Sequence, residues 1–247
     1  MIYESHLRAA EENAWPLESG IAWEAIDRDI ASEEHDIHGA LHDAALIEGY
    51  LPMYAARLMQ LVWDDVDATA VLSLELYEGL RHYTALKRYL ELVGYQTAGV
   101  SEEKLVAARA RSMQAATRDD GVTAILTHFM CSELFAAYFF LRLARRTREP
   151  VLKELLTYMS RDEFRHSAGA GDVLKRRIDR NTSTVNEVLT AGEGFRHYGN
   201  DVVDVPVAET NDFEAIMAMN RKIRSICGLG LSEHYGATPT EETPSPG

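Results

Sequence analysis

The run Arg161-Asp-Glu-Phe-Arg-His166 (RDEFRH) places Glu163 three residues before His166 inside a long stretch with helical periodicity. Residues at i and i+3 share a helix face, so the pair is either a chelating couple or one more charged turn on a solvated surface. The run alone does not decide between them. The choice depends on whether other helices bring acids and imidazoles to the same place.

The rest of the chain has the composition of a helical protein. Its 247 residues include 46% hydrophobic residues, enough for a substantial core, and only seven prolines and sixteen glycines. Apolar residues at helical spacing predict helices at 18–30, 34–61, 64–93, 101–117, 120–147, 150–179, 184–199 and 211–227. Gly94 ends one of these, Ser101 opens another, and Glu149-Pro150 is a favoured helix start. The run DVVDVPV (201–207) comes nearest to a strand, and its proline predicts an extended connection. The four longest helices, 34–61, 64–93, 120–147 and 150–179, suit a bundle, so the fold class expected is all-α. One helical domain is expected over 1–235, with a disordered polar tail at 236–247.

Several function classes are disfavoured. A net charge of −14 leaves nothing to neutralise a nucleic-acid backbone broadly. Cys131 and Cys227 make neither a disulfide framework nor a cysteine metal motif. The charged N-terminus lacks a signal-peptide core, and ELFAAYFFLRLA is interrupted by charge short of a bilayer span. The expectation is a cytoplasmic protein with no membrane partner.

Each of the other long helices carries an acid in apolar surroundings: Glu48 in ALIEGYLPMY, Glu78 before His82 in LYEGLRHY, and Glu133 in HFMCSELFAAYFF. Around Glu133 the helix-face neighbours Phe129, Ala136, Ala137 and Phe140 are all apolar. A carboxylate aimed into a core costs several kcal/mol unless it is paired, protonated or bound to a cation. Glu48 to Glu78 spans 30 residues, as does Glu133 to Glu163. One Glu from each of two helices plus Glu and His from each of two others is the dimetal carboxylate pattern of four-helix bundles. The expected metal ligands are therefore Glu48, Glu78, His82, Glu133, Glu163 and His166. Such oxygen-rich donors with imidazole suit two iron ions, or a manganese–iron pair.

In order along residues 40–180, IEGYLPMY, EGLRHYTALKRYLELVG and DEFRH resemble the ligand segments of the soluble acyl-carrier-protein desaturases, within the ferritin-like diiron carboxylate superfamily. The resemblance implies a ferritin-like bundle with flanking helices and an O2-dependent non-haem diiron oxidoreductase. It would desaturate or hydroxylate an acyl or aminoacyl substrate, free or bound to a carrier protein, with electrons from a donor such as a ferredoxin. It also implies that Asp162 orients a ligand histidine and that Trp15 could belong to an electron path, although plain packing is the preferred reading of Trp15. The alternatives are a diiron N-oxygenase or oxidative C–C cleaving enzyme on a small molecule, and a catalytically degenerate metal-binding protein. The oligomeric state is left open, a homodimer included.

The chain departs from the family at two places. Where the family has a ligand Glu three residues before the second-helix His, this chain has Gly79; where it has a Thr after the middle Glu, this chain has Ala136. Three readings of Gly79 are open: a π-bulge, chelation by Glu78 and His82 at i, i+4, or a lost ligand. Glu78 is favoured for its 30-residue spacing, with Glu75 one turn earlier as the spare. Pro52 removes the helical hydrogen bond to the Glu48 carbonyl and can bend the helix there. His35, His38 and His42 are expected on an exposed face, and His128 in packing or behind the site. Phe129, Phe139, Leu51 and Met53 are candidate pocket walls. The cations at 142–148 and 175–180 are either ordinary helix C-terminal charges or a docking patch for an acidic carrier.

Overall fold

The computed structural model describes residues 1–95, 100–114, 121–203 and 212–237. Among the described residues the chain is all-α, with no strand. Its frame is four long helices, and the others are numbered around them: α1 (Ile2–Glu12), α2 (Arg28–Ser32), α3 (His35–Leu61), α4 (Val66–Leu92), α5 (Val100–Gln114), α6 (Val122–Arg146), α7 (Pro150–Asp179), α8 (Val185–Glu193), α9 (Phe213–Cys227) and α10 (Leu231–Ala237). The links from α3 to α4 and from α6 to α7 are only a few residues long, which forces two antiparallel hairpins. The hairpins meet chiefly where α4 lies along α7.

The starts of these helices are set by side chains that satisfy the first free amides. Asp65 accepts from the amides of Asp67 and Ala68 at the head of α4. Glu149 accepts from Val151 and Leu152 at the head of α7, where Pro150 fills the first turn. α3 continues through Pro52, and the nearby Gly49 carbonyl accepts a 2.9 Å bond from Arg109 of α5.

Two apolar cores flank a polar layer. One gathers Leu51, Leu58, Leu72, Phe129 and Met130 with Leu174; the other gathers Leu41, Leu86, Tyr89, Phe140, Leu155 and Met159. On α4 and α7 the buried Glu75, Glu78, His82, Asp162, Glu163 and His166 lie between the two in sequence, and Glu48 on α3 and Glu133 on α6 lie toward the end of the first core that is nearer the second. α6 is long and apolar enough to cross a membrane, but most of it is buried in the bundle and it carries Glu133 inward.

The four long helices lie within two residues of their expected bounds. The segment 18–30 does not form one helix. Gly20 turns back onto the Pro16 carbonyl at 2.6 Å, Trp23–Ala25 makes a 3-10 turn, and Asp27 caps a fresh start at Arg28. The helix expected over 184–199 stops at Glu193, after which His197 caps a 3-10 turn over Tyr198–Asp201. α1 was not foreseen; it is held against α4 by Tyr3, whose amide donates to Asp67. Residues 204–207 of the expected connection, 115–117 of the expected fourth helix and 238–247 of the expected tail lie outside the described residues. Residues 231–237 of the chain's end are helical.

Candidate metal centre

Glu48 from α3, His82 from α4, Glu133 from α6, and Glu163 and His166 from α7 converge between the two cores, none more than 4% exposed. Their donor atoms form two groups, Glu48–His82–Glu163 and Glu133–Glu163–His166, with the atoms of each within 4.8 Å of one another. Glu163 belongs to both. His82 Nδ1 lies 2.7 Å from Glu163 Oε1, and the Glu48 carboxylate is 3.8 Å away. That close pair is outside hydrogen-bonding geometry, so both atoms are buried without a hydrogen-bond partner. His166 Nδ1 in turn lies 2.9 Å from Glu163 and 3.2 Å from Glu133. These buried Glu and His groups can hold metal ions, and their hard oxygen and imidazole donors fit first-row divalent cations.

A second ring fixes the imidazoles from behind. His82 Nε2 meets Asp162 at 3.3 Å, and His166 Nε2 meets Glu78 at 3.0 Å. Arg81 donates to Glu78 at 3.1 Å and to Asp162 at 2.9 Å. Arg165 donates to the same two acids, at 2.6 and 2.9 Å. The segments EGLRH (78–82) and DEFRH (162–166) thus play mirrored parts: Glu78 corresponds to Asp162, Gly79 to Glu163, Arg81 to Arg165 and His82 to His166. A carboxylate behind each imidazole sets its tautomer and turns Nδ1 toward the centre.

This geometry sets Glu78 apart from the other expected ligands. It lies outside both donor groups, committed to His166 and two arginines. α4 is unbroken α-helix from Val66 to Leu92, so no π-bulge shifts Glu78 inward. The position that faces the centre is Gly79, where an added Cβ would stand 3.2 Å from Glu48 Oε2 and overlap Leu51 Cδ2. Residues 79 and 82 share the face that 163 and 166 share on α7, whereas residue 78 is rotated one step away. Glu75 is buried, and neither of its oxygens has a partner.

Protonation follows from this crowding. Burial, reinforced by Glu163, pushes Glu48 up to about 7, and burial with Glu163 lifts Glu133 well above the usual carboxylate range. Burial also pushes Glu75 up to about 8. Against the burial that would raise it, the charges of His166 and His82 hold Glu163 well below its ordinary value. Both imidazoles are raised despite burial, chiefly by the charge of Glu163.

Four neighbours extend the site. Tyr198 donates its hydroxyl to Glu133 at 3.1 Å and stacks on Tyr54. Trp15 is buried, donates Nε1 to Asp162 at 2.7 Å, and lies parallel to the His82 ring with centroids 5.9 Å apart. Tyr158 also stacks on Trp15, with centroids 6.0 Å apart. A cavity of about 300 Å3 between α3 and α6 extends from exposed Asp36 and Asp43 to Glu48, with walls that include Ile47, Phe135, Phe139 and His197. Ala136, at the family's threonine position, lines it as well. Phe139 is a wall as expected, whereas Phe129 and Leu51 pack in the core and Met53 against it.

Sequence reasoning missed Tyr198, Arg81 and Arg165. The shared Arg-His ending of the two mirrored segments was a readable signal for the arginines; nothing local marks Tyr198. Of the histidine face on α3, His35 is exposed as expected and His42 is half-buried, whereas His38 is buried against Tyr89 and Tyr95. His128 packs beside Ala191 and Phe195. The basic clusters are laced to acids, with Arg142 on Asp212, Arg145 on Glu214, Arg146 on Asp36, Arg148 on Glu33 and Arg176 on Asp67.

No protein-family model, curated protein or solved structure matches this chain. The class defined by fold and site is an all-helical bundle whose polar layer offers two adjoining Glu/His groups able to hold metal ions.

Proposed function

We propose that the protein is a ferritin-like dimetal oxidase that uses O2 to oxidise a small, largely apolar substrate. The observation that carries the reading is Glu163, a single buried carboxylate shared by two imidazole-bearing donor groups. When bound there, a pair of iron ions, or manganese with iron, supplies the redox equivalents for O2 reduction and oxidation of a C–H or N–H bond. Glu48, His82, Glu133, Glu163 and His166 hold the ions. Asp162 and Glu78 fix the two imidazoles, and the arginines between them neutralise the outer acids. Tyr198 directs Glu133 and holds its own proton beside it, because burial and the neighbouring carboxylates push its hydroxyl well above its ordinary value. Trp15, joined to His82 through Asp162 and stacked on Tyr158 toward the surface, is the route for electrons from an external donor such as a ferredoxin.

The cavity favours a small molecule over a carrier-bound acyl chain. Its walls are apolar, its rim and inner end carry Asp36, Asp43 and Glu48, and the arginines that would dock an acidic carrier are paired with acids. No Lys or Arg lines the cavity among the described residues, so nothing in it pairs with an anionic substrate, and neutral or amine-bearing molecules suit it better. The reading is tested by anaerobic loading with ferrous iron, followed by an optical spectrum on adding oxygen. Two irons per chain with an oxygen-dependent absorption change are expected, and both are lost in Glu163→Ala. Folded protein that takes up one iron or none, with no response to oxygen, overturns it.

A further inference from the structure

Gly79 leaves the mirrored centre one carboxylate short. Glu48 and Glu133 come one from each hairpin, and Glu163 stands between the imidazoles, but its counterpart on α4 has no side chain. Leu51 occupies the space that a residue-79 side chain would enter. Two divalent ions bring four positive charges, and the inner carboxylates Glu48, Glu133 and Glu163 number three. Glu78 does not make up the deficit, because two arginines already neutralise it together with Asp162.

Glu75 is the unexplained group on the same helix. It lies one turn before Gly79 on one face of α4 and is 3% exposed, with neither oxygen hydrogen-bonded. Facing it across the α4–α7 seam is Gly169, where an added Cβ would stand 3.1 Å from Glu75 Oε1. Gly169 lies one turn beyond His166 on the same side of α7, so the Glu75 carboxylate stands beside the centre, though outside the two donor groups. Protonation alone does not satisfy Glu75, since its hydroxyl would lack an acceptor and a buried unpaired group costs about 1–3 kcal/mol. A cation would satisfy both oxygens.

We infer that Glu75 supplies the carboxylate missing at Gly79, as a displaced ligand completing the metal pair. The inference rests on the dimetal reading above and adds a residue to it. The formal charge of the inner ring then matches two divalent ions. The displacement gives the two metal positions unequal surroundings: Glu163 and His166 adjoin on one helix, while Glu75 and His82 lie two turns apart on another.

The test is anaerobic titration of the full chain with cobalt(II), following the d–d bands and the bound metal per chain. Wild type is expected to bind two, Glu75→Gln one, and Glu75→Gln with Gly79→Glu two again, since the groups that must yield to the new side chain are side-chain ends, the Leu51 methyl and the Glu48 carboxylate. Thermal melting of each metal-free variant checks that a loss is not unfolding. Two cobalt ions in Glu75→Gln overturn the inference and leave the dimetal reading standing. A double variant that stays at one assigns the loss to damage and also overturns it. Fewer than two in wild type overturns both readings.

Discussion

His197 shows how one buried side chain makes the fold sensitive to acid. It lines the cavity, its Nδ1 accepts from the Gly199 amide at 3.0 Å, and burial pushes its pKa down to about 4. Between about pH 4 and 6.5 the unfolded imidazole carries a proton that the folded one does not, so the unfolded state binds more protons and stability rises with pH. The contribution is complete above the unfolded value and is lost as pH falls through 4, amounting to about 3 kcal/mol. Chemical denaturation of metal-free protein at pH 7 and pH 4 should show this loss in wild type. In His197→Asn, which still offers the Gly199 amide an acceptor, the difference should shrink by about that amount. An unchanged difference removes His197 from the account. At the same scale, Gly79 matters through the side chain it lacks, for that absence is what separates this centre from its mirror half.

The long helices owe their bounds to caps and their registry to the mirrored segments. Glu149 is the strongest cap. It is fully buried and accepts from Val151, Leu152 and the distant Asp27 amide, so it fixes the start of α7 and ties it to the N-terminal segment. Glu149→Ala should cost about 2 kcal/mol, the upper end for a cap. For a chain of this length that is a fall of roughly 4–8 °C in melting temperature. A fall below 1 °C would mean that Pro150 and packing suffice to start the helix. The registry of α4 against α7 is set by the Glu78–Arg81–Asp162–Arg165 cluster, in which each arginine spans both helices. Removing one arginine would leave a buried carboxylate short of charge, a far larger loss than a surface ion pair carries.

Across the whole molecule, two apolar cores enclose a layer that is unfavourable when empty of cations. Metal-free protein holds Glu48 and Glu133 at raised pKa values and leaves Glu163 Oε1 and His82 Nδ1 in contact but outside hydrogen-bonding geometry. Cations that bind only the folded state stabilise it by mass action, by about 2.7 kcal/mol at one hundred times the dissociation constant. Chelation should therefore lower the melting temperature by roughly 5–10 °C at this size, and ferrous, manganous or cobaltous ions should restore it. An identical melt with and without chelator would show that the polar layer takes up no ion.

Periodicity and composition were enough for the four long helices and the all-α class, because a repeated apolar face is a local property of the chain. Five inward donors, Glu48, His82, Glu133, Glu163 and His166, were also legible, since each acid sits in an apolar setting that makes its burial costly. The broken helix at 18–30 was not legible, because the turn onto Pro16 and the cap at Asp27 compete with a helical composition that reads continuously. The choice between Glu78 and Gly79 belonged to tertiary structure alone. Adjacent residues on a helix differ by about 100°, and only the packing of α4 on α7 decides which one faces inward and which meets the arginines. Glu75 and Tyr198 likewise acquire meaning only from neighbours far away in sequence. Local patterns specify which residues must be buried; the crossing of the helices specifies what they meet there.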